Sequence, residues 1–91
     1  MANTKSAIKR IRSSERKRQR NKIVRSSTRT EIRKARLLMQ DGNIEEATES
    51  THRAVRLLDK AAEKGVIHRR NASRRKSRLM LALNRAEQEA Q

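Results

Sequence analysis

The sequence predicts an all-α fold, a three-helix up-down-up bundle with a long basic N-terminal helix projecting from it. Three observations lead there. The 91 residues contain no proline and only two glycines, Gly42 and Gly65, so three uninterrupted stretches are divided by two breaks. Within each stretch, apolar residues recur at the helical spacing of three and four. The stretches also differ in length. A helix over about 5–41 is roughly 55 Å long at 1.5 Å per residue, and one over about 44–64 is roughly 30 Å. The second can cover only the C-terminal half of the first, so the first ~20 residues must project.

The first helix has two halves. Val24, Thr28, Ile32, Ala35 and Met39 step round one face. Before them only Ile8 and Ile11 could meet an apolar neighbour, and "RSSERKRQRNK" at 12–22 has no apolar side chain at all. "DGN" at 41–43 reads as a stop, a turn and a new start. Asn43 followed by Glu46 fits a capping box. The second helix places Ile44, Ala47, Thr51, Ala54, Val55, Leu58, Ala61 and Ala62 at helical spacing, with Glu45, Glu46 and Glu49 near its N-terminus. "KGVIHRRN" at 64–71 reads as a second break. Lys64 ends a helix, Gly65 can take a left-handed position, and His68, an uncommon residue for an N-cap, stands where one could open the third helix, about 68–88. Ile67 and Ala72 stand at hydrophobic-staple spacing. Ala72, Leu79, Leu83 and Ala86 form the apolar face of that helix.

Composition narrows the function. Twenty-five Lys and Arg against ten Asp and Glu give a net charge of +15. Leu, Ile and Val number 16 and aromatics are absent, so residues 1–91 make one domain with a thin core. The absence of cysteine suits a reducing compartment. No run approaches the ~20 apolar residues of a membrane span, and no signal-peptide core is present. The basic, Ser-containing N-terminus faintly resembles a transit peptide, but the basic pattern continues well past any cleavage point. Without Trp, Tyr or Phe there is no base-stacking platform, so nucleic acid would be bound through charge and shape.

The charge is unevenly placed: net +11 over residues 1–41, −1 over 43–64 and +5 over 66–91. Arg18, Lys22, Arg25, Arg29, Arg33 and Arg36 fall within an arc of about 80° of the first helix, beside its apolar face. Arg69, Arg70, Arg74, Arg75, Lys76 and Arg78 open the third. A solvated face mixes signs, and six aligned cations repel one another unless a polyanion neutralises them. Arginine over lysine, 17 against 8, suits bidentate phosphate contact. Catalytic and metal chemistry find no support. His52 and His68 are isolated, no Ser–His–Asp pattern is legible, and no glycine-rich phosphate loop occurs. The expectation is a non-enzyme without cofactor or metal.

"MANTKSAIKRIRSSERKRQRNK", "STRTEIRKA" and "KGVIHRRNASRRKSRL" resemble the S-twenty family of small-subunit ribosomal proteins of bacteria and plastids, in motif, order and separation. The resemblance runs over nearly the whole chain, although "NRAEQEAQ" carries no motif. It implies a three-helix constituent of the cytoplasmic ribosome that binds 16S ribosomal RNA directly during subunit assembly. The first helix would be threaded among RNA helices, touching the 5′ domain and the long helix of the 3′ minor domain. Implied RNA contacts are Asn3, Lys5, Ser6, Lys9 and Arg10 at the start. They continue through Arg18, Asn21, Lys22, Arg25, Ser26, Arg29, Thr30, Arg33 and Lys34. On the third helix they are His68, Arg69, Arg74, Arg75, Lys76 and Arg78. His68 is open between a cap, an RNA contact and both. Ile8, at a variable motif position, is open between ribose and a neighbouring helix. No membrane, small-molecule substrate or homo-oligomer is implied.

Two rival partners use basic helices. A bZIP-like DNA binder needs leucine heptads after its basic region, and none follow. A membrane-surface helix needs a broad apolar face, which residues 12–22 lack. The same lack predicts that residues 1–20 fray in the free protein while the hairpin from about residue 24 persists.

Overall fold

In the computed structural model, residues 4–90 are described and form three α-helices with no strand among them: α1 (Lys5–Gln40), α2 (Ile44–Glu63) and α3 (Arg69–Ala90). Thr4 caps α1, its Oγ1 accepting the Ala7 N–H at 3.2 Å. This cap lies before the apolar periodicity begins, so periodicity alone does not reveal it.

The two breaks are built alike. Gly42 and Gly65 have φ of +77° and +76°, the left-handed region that glycine enters without steric cost. At the first break, the Asn43 N–H donates to the Leu38 carbonyl at 3.0 Å and the Gly42 N–H to Met39 at 3.2 Å. At the second, the Val66 N–H donates to Ala61 at 2.9 Å and the Gly65 N–H to Ala62 at 3.1 Å. Both are Schellman closures that satisfy orphan carbonyls.

The first closure corrects one expectation. Asn43 makes no side-chain cap bond to α2. In a capping box, the N-cap N–H is the donor that Glu46 would accept. In this chain that N–H is already committed to Leu38. The Asn43 ψ of 74° is also well short of the extended region usual for a cap. His68, by contrast, does cap α3: its Nδ1 accepts the Arg70 N–H at 3.1 Å. A neutral His68 ring then carries its proton on Nε2.

The core is small and made largely of alanine. Ala35, Ala47, Ala54, Ala61 and Ala72 are buried with Leu58, Leu79, Leu83 and Val66. Ile32 and Met39 pack partly buried against Ala35, Ala54 and Leu79. Small side chains let the helices approach closely, and three leucines fill the remaining volume. Buried hydroxyls are satisfied within their own helix. Thr28 Oγ1 donates to the Val24 carbonyl at 2.8 Å and Thr51 Oγ1 to Ala47 at 2.7 Å. Ser50 is buried too, a polar residue that an apolar pattern cannot flag.

α1 packs chiefly against α2, α2 against α3, and α1 touches α3 least. The α2–α3 turn meets α1 near Arg25, whose Nη2 donates to the Val66 carbonyl at 3.2 Å. Beyond that level α1 runs on alone. Residues 5–20 are exposed apart from the half-buried Ala7, and the molecule measures 65 × 22 × 15 Å. This is the projecting arm that the length mismatch predicts.

Candidate nucleic-acid interface

The cations of α1 are sorted by what lies on either side of it. On the α2 side an acid intervenes. Glu31, with a side chain 22% exposed, lies 3.8 Å from Arg53 Nε of α2 and 4.0 Å from Lys34 Nζ. These are charge contacts beyond hydrogen-bond reach, and Glu31 Oε2 has no hydrogen-bond partner. On the α3 side nothing negative intervenes at the bundle's near end. Arg25, Thr28 and Arg29 of α1 face His68, just before α3, and Asn71 and Arg75 of α3 across a cleft of 320 Å3. Further along the same seam, Arg36, Met39 and Gln40 face Ala82, Arg85, Ala86 and Glu89 across 290 Å3. Glu89 is the one acid there.

The basic stripe of α1 therefore borders α3 at Arg25, Arg29 and Arg36, and Arg75 is the member of the α3 cluster that meets it across the seam. Among the described residues, Arg29, Arg33 and Arg36 have no acidic partner within 4.0 Å, while Arg18 pairs with Glu15 at 3.3 Å. Exposed pairs of the latter kind contribute little. The field over this flank is strongly positive, which raises local anion concentration and association rate.

The structure divides the remaining candidates. Lys5, Ser6, Lys9 and Arg10 lie exposed on the arm, and Asn3 lies outside the described residues. Lys22, Ser26, Thr30, Arg33 and Lys34 are exposed on α1. Asn21 is half-buried in a depression shared with Val24, Lys64 and Val66, where the turn reaches α1. On α3, Arg69, Arg74 and Arg78 are exposed. Arg75 lines the seam, with Nε donating to Asn71 Oδ1 at 2.9 Å. Lys76 is on the other flank, its Nζ 2.6 Å from Asp59 Oδ1 of α2. His68 lines the seam while its Nδ1 holds the cap, so Nε2–H is the donor left for a ligand.

Arg85 joins the seam without having been singled out in the sequence. Its signal was available: it stands seven residues after Arg78 and eleven after Arg74, on one side of α3. Among the described residues no group of three or more His, Asp or Glu is placed to hold a metal ion, and no helix is long and apolar enough to cross a membrane.

A small three-helix bundle with one uncompensated cationic flank and an unpacked basic arm defines a class, the helical proteins whose working surface is complementary to a polyanion. The family model described as Ribosomal protein S20 matches residues 2–84. The chain is 54% identical over 84 residues to Small ribosomal subunit protein bS20 of Thermomicrobium roseum, covering 92% of this chain and 85% of the relative. It is 54% identical over 85 residues to the bS20 of Mycolicibacterium smegmatis, covering 93% and 99%. Identity to the bS20 of Clostridium kluyveri is 52% over 85 residues, covering 93% and 97%. The chain belongs to the ribosomal protein S20 family.

Proposed function

We propose that this protein is a non-catalytic structural constituent of the small ribosomal subunit that binds 16S ribosomal RNA directly and stabilises its packing during subunit assembly. The observation that carries this reading is the α1–α3 seam. There Arg25, Arg29, Arg36, Arg75 and Arg85 line one seam with a single intervening carboxylate, at the base of an arm whose described residues are almost all exposed. Its kinship with small-subunit proteins supports the same reading, with its work in the cytoplasm, on the ribosome.

The mechanism is architectural. Phosphates of one RNA segment settle along the seam, and the arm lies among further segments, replacing the missing core with ribose and phosphate. Counterion release supplies much of the affinity, and the geometry of A-form RNA supplies the selectivity. Lys5, Ser6, Lys9 and Arg10 serve the arm. Lys22, Arg25, Ser26, Arg29, Thr30, Arg33, His68, Arg69, Arg74, Arg75 and Arg78 serve the bundle. The partners are the 5′ domain and the long helix of the 3′ minor domain.

Binding to a 5′-domain RNA fragment, titrated with salt in the presence of excess transfer RNA and duplex DNA, tests this. Tight binding that survives both competitors at moderate salt is expected. Loss of binding to either competitor would leave a general polyanion binder and overturn the ribosomal assignment.

A further inference from the structure

Alongside the bundle, from Gln19 to Leu37, the face of α1 that points outward is not charged. Opposite the buried Thr28 and Ala35, an arc of about 60° carries Gln19, Ile23, Ser26, Thr30 and Leu37. All five are exposed, Ile23 by 64% and Leu37 by 53%. This inverts the ordinary amphipathic pattern, in which the outermost face carries the charge. Eight of the nineteen residues from Arg18 to Arg36 are basic, yet none falls in this lane. They line its two shoulders instead, with Lys22, Arg29 and Arg33 on one side and Arg20 and Lys34 on the other.

A ridge of hydroxyls and methyl groups between two cationic rows has a specific complement. The minor groove of A-form RNA is wide and shallow, shows ribose 2′-hydroxyls across its floor, and is bordered by two phosphate strands. A helix lying along it would put uncharged atoms on the floor and cations on both strands. Resting on the RNA-binding role proposed above, we infer that the Gln19–Leu37 lane seats in the minor groove of an RNA duplex. Ser26 and Thr30 then exchange hydrogen bonds with 2′-hydroxyls, and Ile23 and Leu37 pack on ribose carbons. This surface is separate from the α1–α3 seam proposed for phosphate.

The test compares binding of the folded full chain to an RNA duplex and to a DNA duplex of the same sequence. The native protein should prefer RNA. Ser26→Ala with Thr30→Ala removes two hydroxyls from exposed helical sites and should cost about tenfold in RNA affinity, leaving DNA affinity and salt slope unchanged. Ile23→Arg adds a cation to the lane. It should weaken RNA binding by removing ribose packing, whereas a merely electrostatic surface would bind more tightly. Unchanged RNA preference in the double variant, equal losses on both duplexes, or tighter binding by Ile23→Arg would each overturn the inference. Such results would not touch the ribosomal reading, which stands or falls with the native protein's binding to the 5′-domain fragment.

Discussion

Arg25 of α1 donates through Nη2 to the main-chain carbonyl of Val66, 3.2 Å away and 41 residues later in the chain. One residue of the basic stripe thus fastens the α2–α3 turn to α1 while lining the seam proposed for phosphate. Its neighbour Arg29 lines the same seam without an acidic partner among the described residues. Arg25→Gln should therefore lower stability by about 1 kcal/mol as well as weakening RNA binding. Arg29→Gln should weaken binding alone. Chemical denaturation of the two variants separates the roles, and equal stability losses would contradict this division.

Because Arg25 has two roles, the charge of the stripe is better probed elsewhere. Replacing Arg29, Arg33 and Arg36 together with Gln should leave helicity intact. The slope of log affinity against log salt should become shallower by roughly two to three units, a little under one for each phosphate no longer neutralised. Affinity for a 5′-domain RNA fragment at several salt concentrations measures this directly. An unchanged slope would move the binding surface off this flank.

The core has little to spare. Leu58 and Leu79 are fully buried in a chain whose other core residues are mostly alanine. Truncating either to Ala removes a side chain that no neighbour is large enough to replace, at a cost of about 3 kcal/mol. For a domain of this size that is a large part of the total stability. Thermal melts followed by circular dichroism should show a much lower, broader transition for Leu58→Ala. Val55, which is only half-buried, should tolerate the same change far better.

Residues 5–20 are helical without being packed. Isolated helical segments of this length are marginal in water, more so with like charges along them. In the free protein, backbone amides of residues 8–20 should exchange with solvent orders of magnitude faster than those of residues 28–39, which α2 and α3 cover. On binding RNA the arm should become protected. Hydrogen exchange with and without the RNA fragment tests both halves of this expectation, and strong protection of the free arm would contradict it.

The helices were legible because two glycines and no prolines leave few ways to partition the chain. The arm was legible because two helices of unequal length cannot cover one another. Ser50 was not, since a buried hydroxyl leaves no trace in an apolar pattern. The Asn43 cap was misread because its backbone N–H belongs to the preceding helix's closure. Within the candidate interface, Arg29 and Arg33 could be found from spacing alone. Spacing also puts Arg85 on the side of Arg74 and Arg78, but that it faces Arg36 across the seam, and that Lys76 is drawn aside by Asp59, could not be read from it.

By itself the sequence determined the number of helices, their lengths, the projecting arm and the cationic stripe beside the core face. These follow from local period, chain punctuation and charge, which each stretch carries within itself. Only the tertiary structure decided which flank of that stripe is neutralised and which is left open. Glu31 opposite Arg53, Asp59 opposite Lys76 and Arg25 beneath Val66 all depend on how each helix is rotated against its neighbours. That rotation is set by alanines and leucines interlocking across helices, a relation between distant residues that no single stretch of sequence contains.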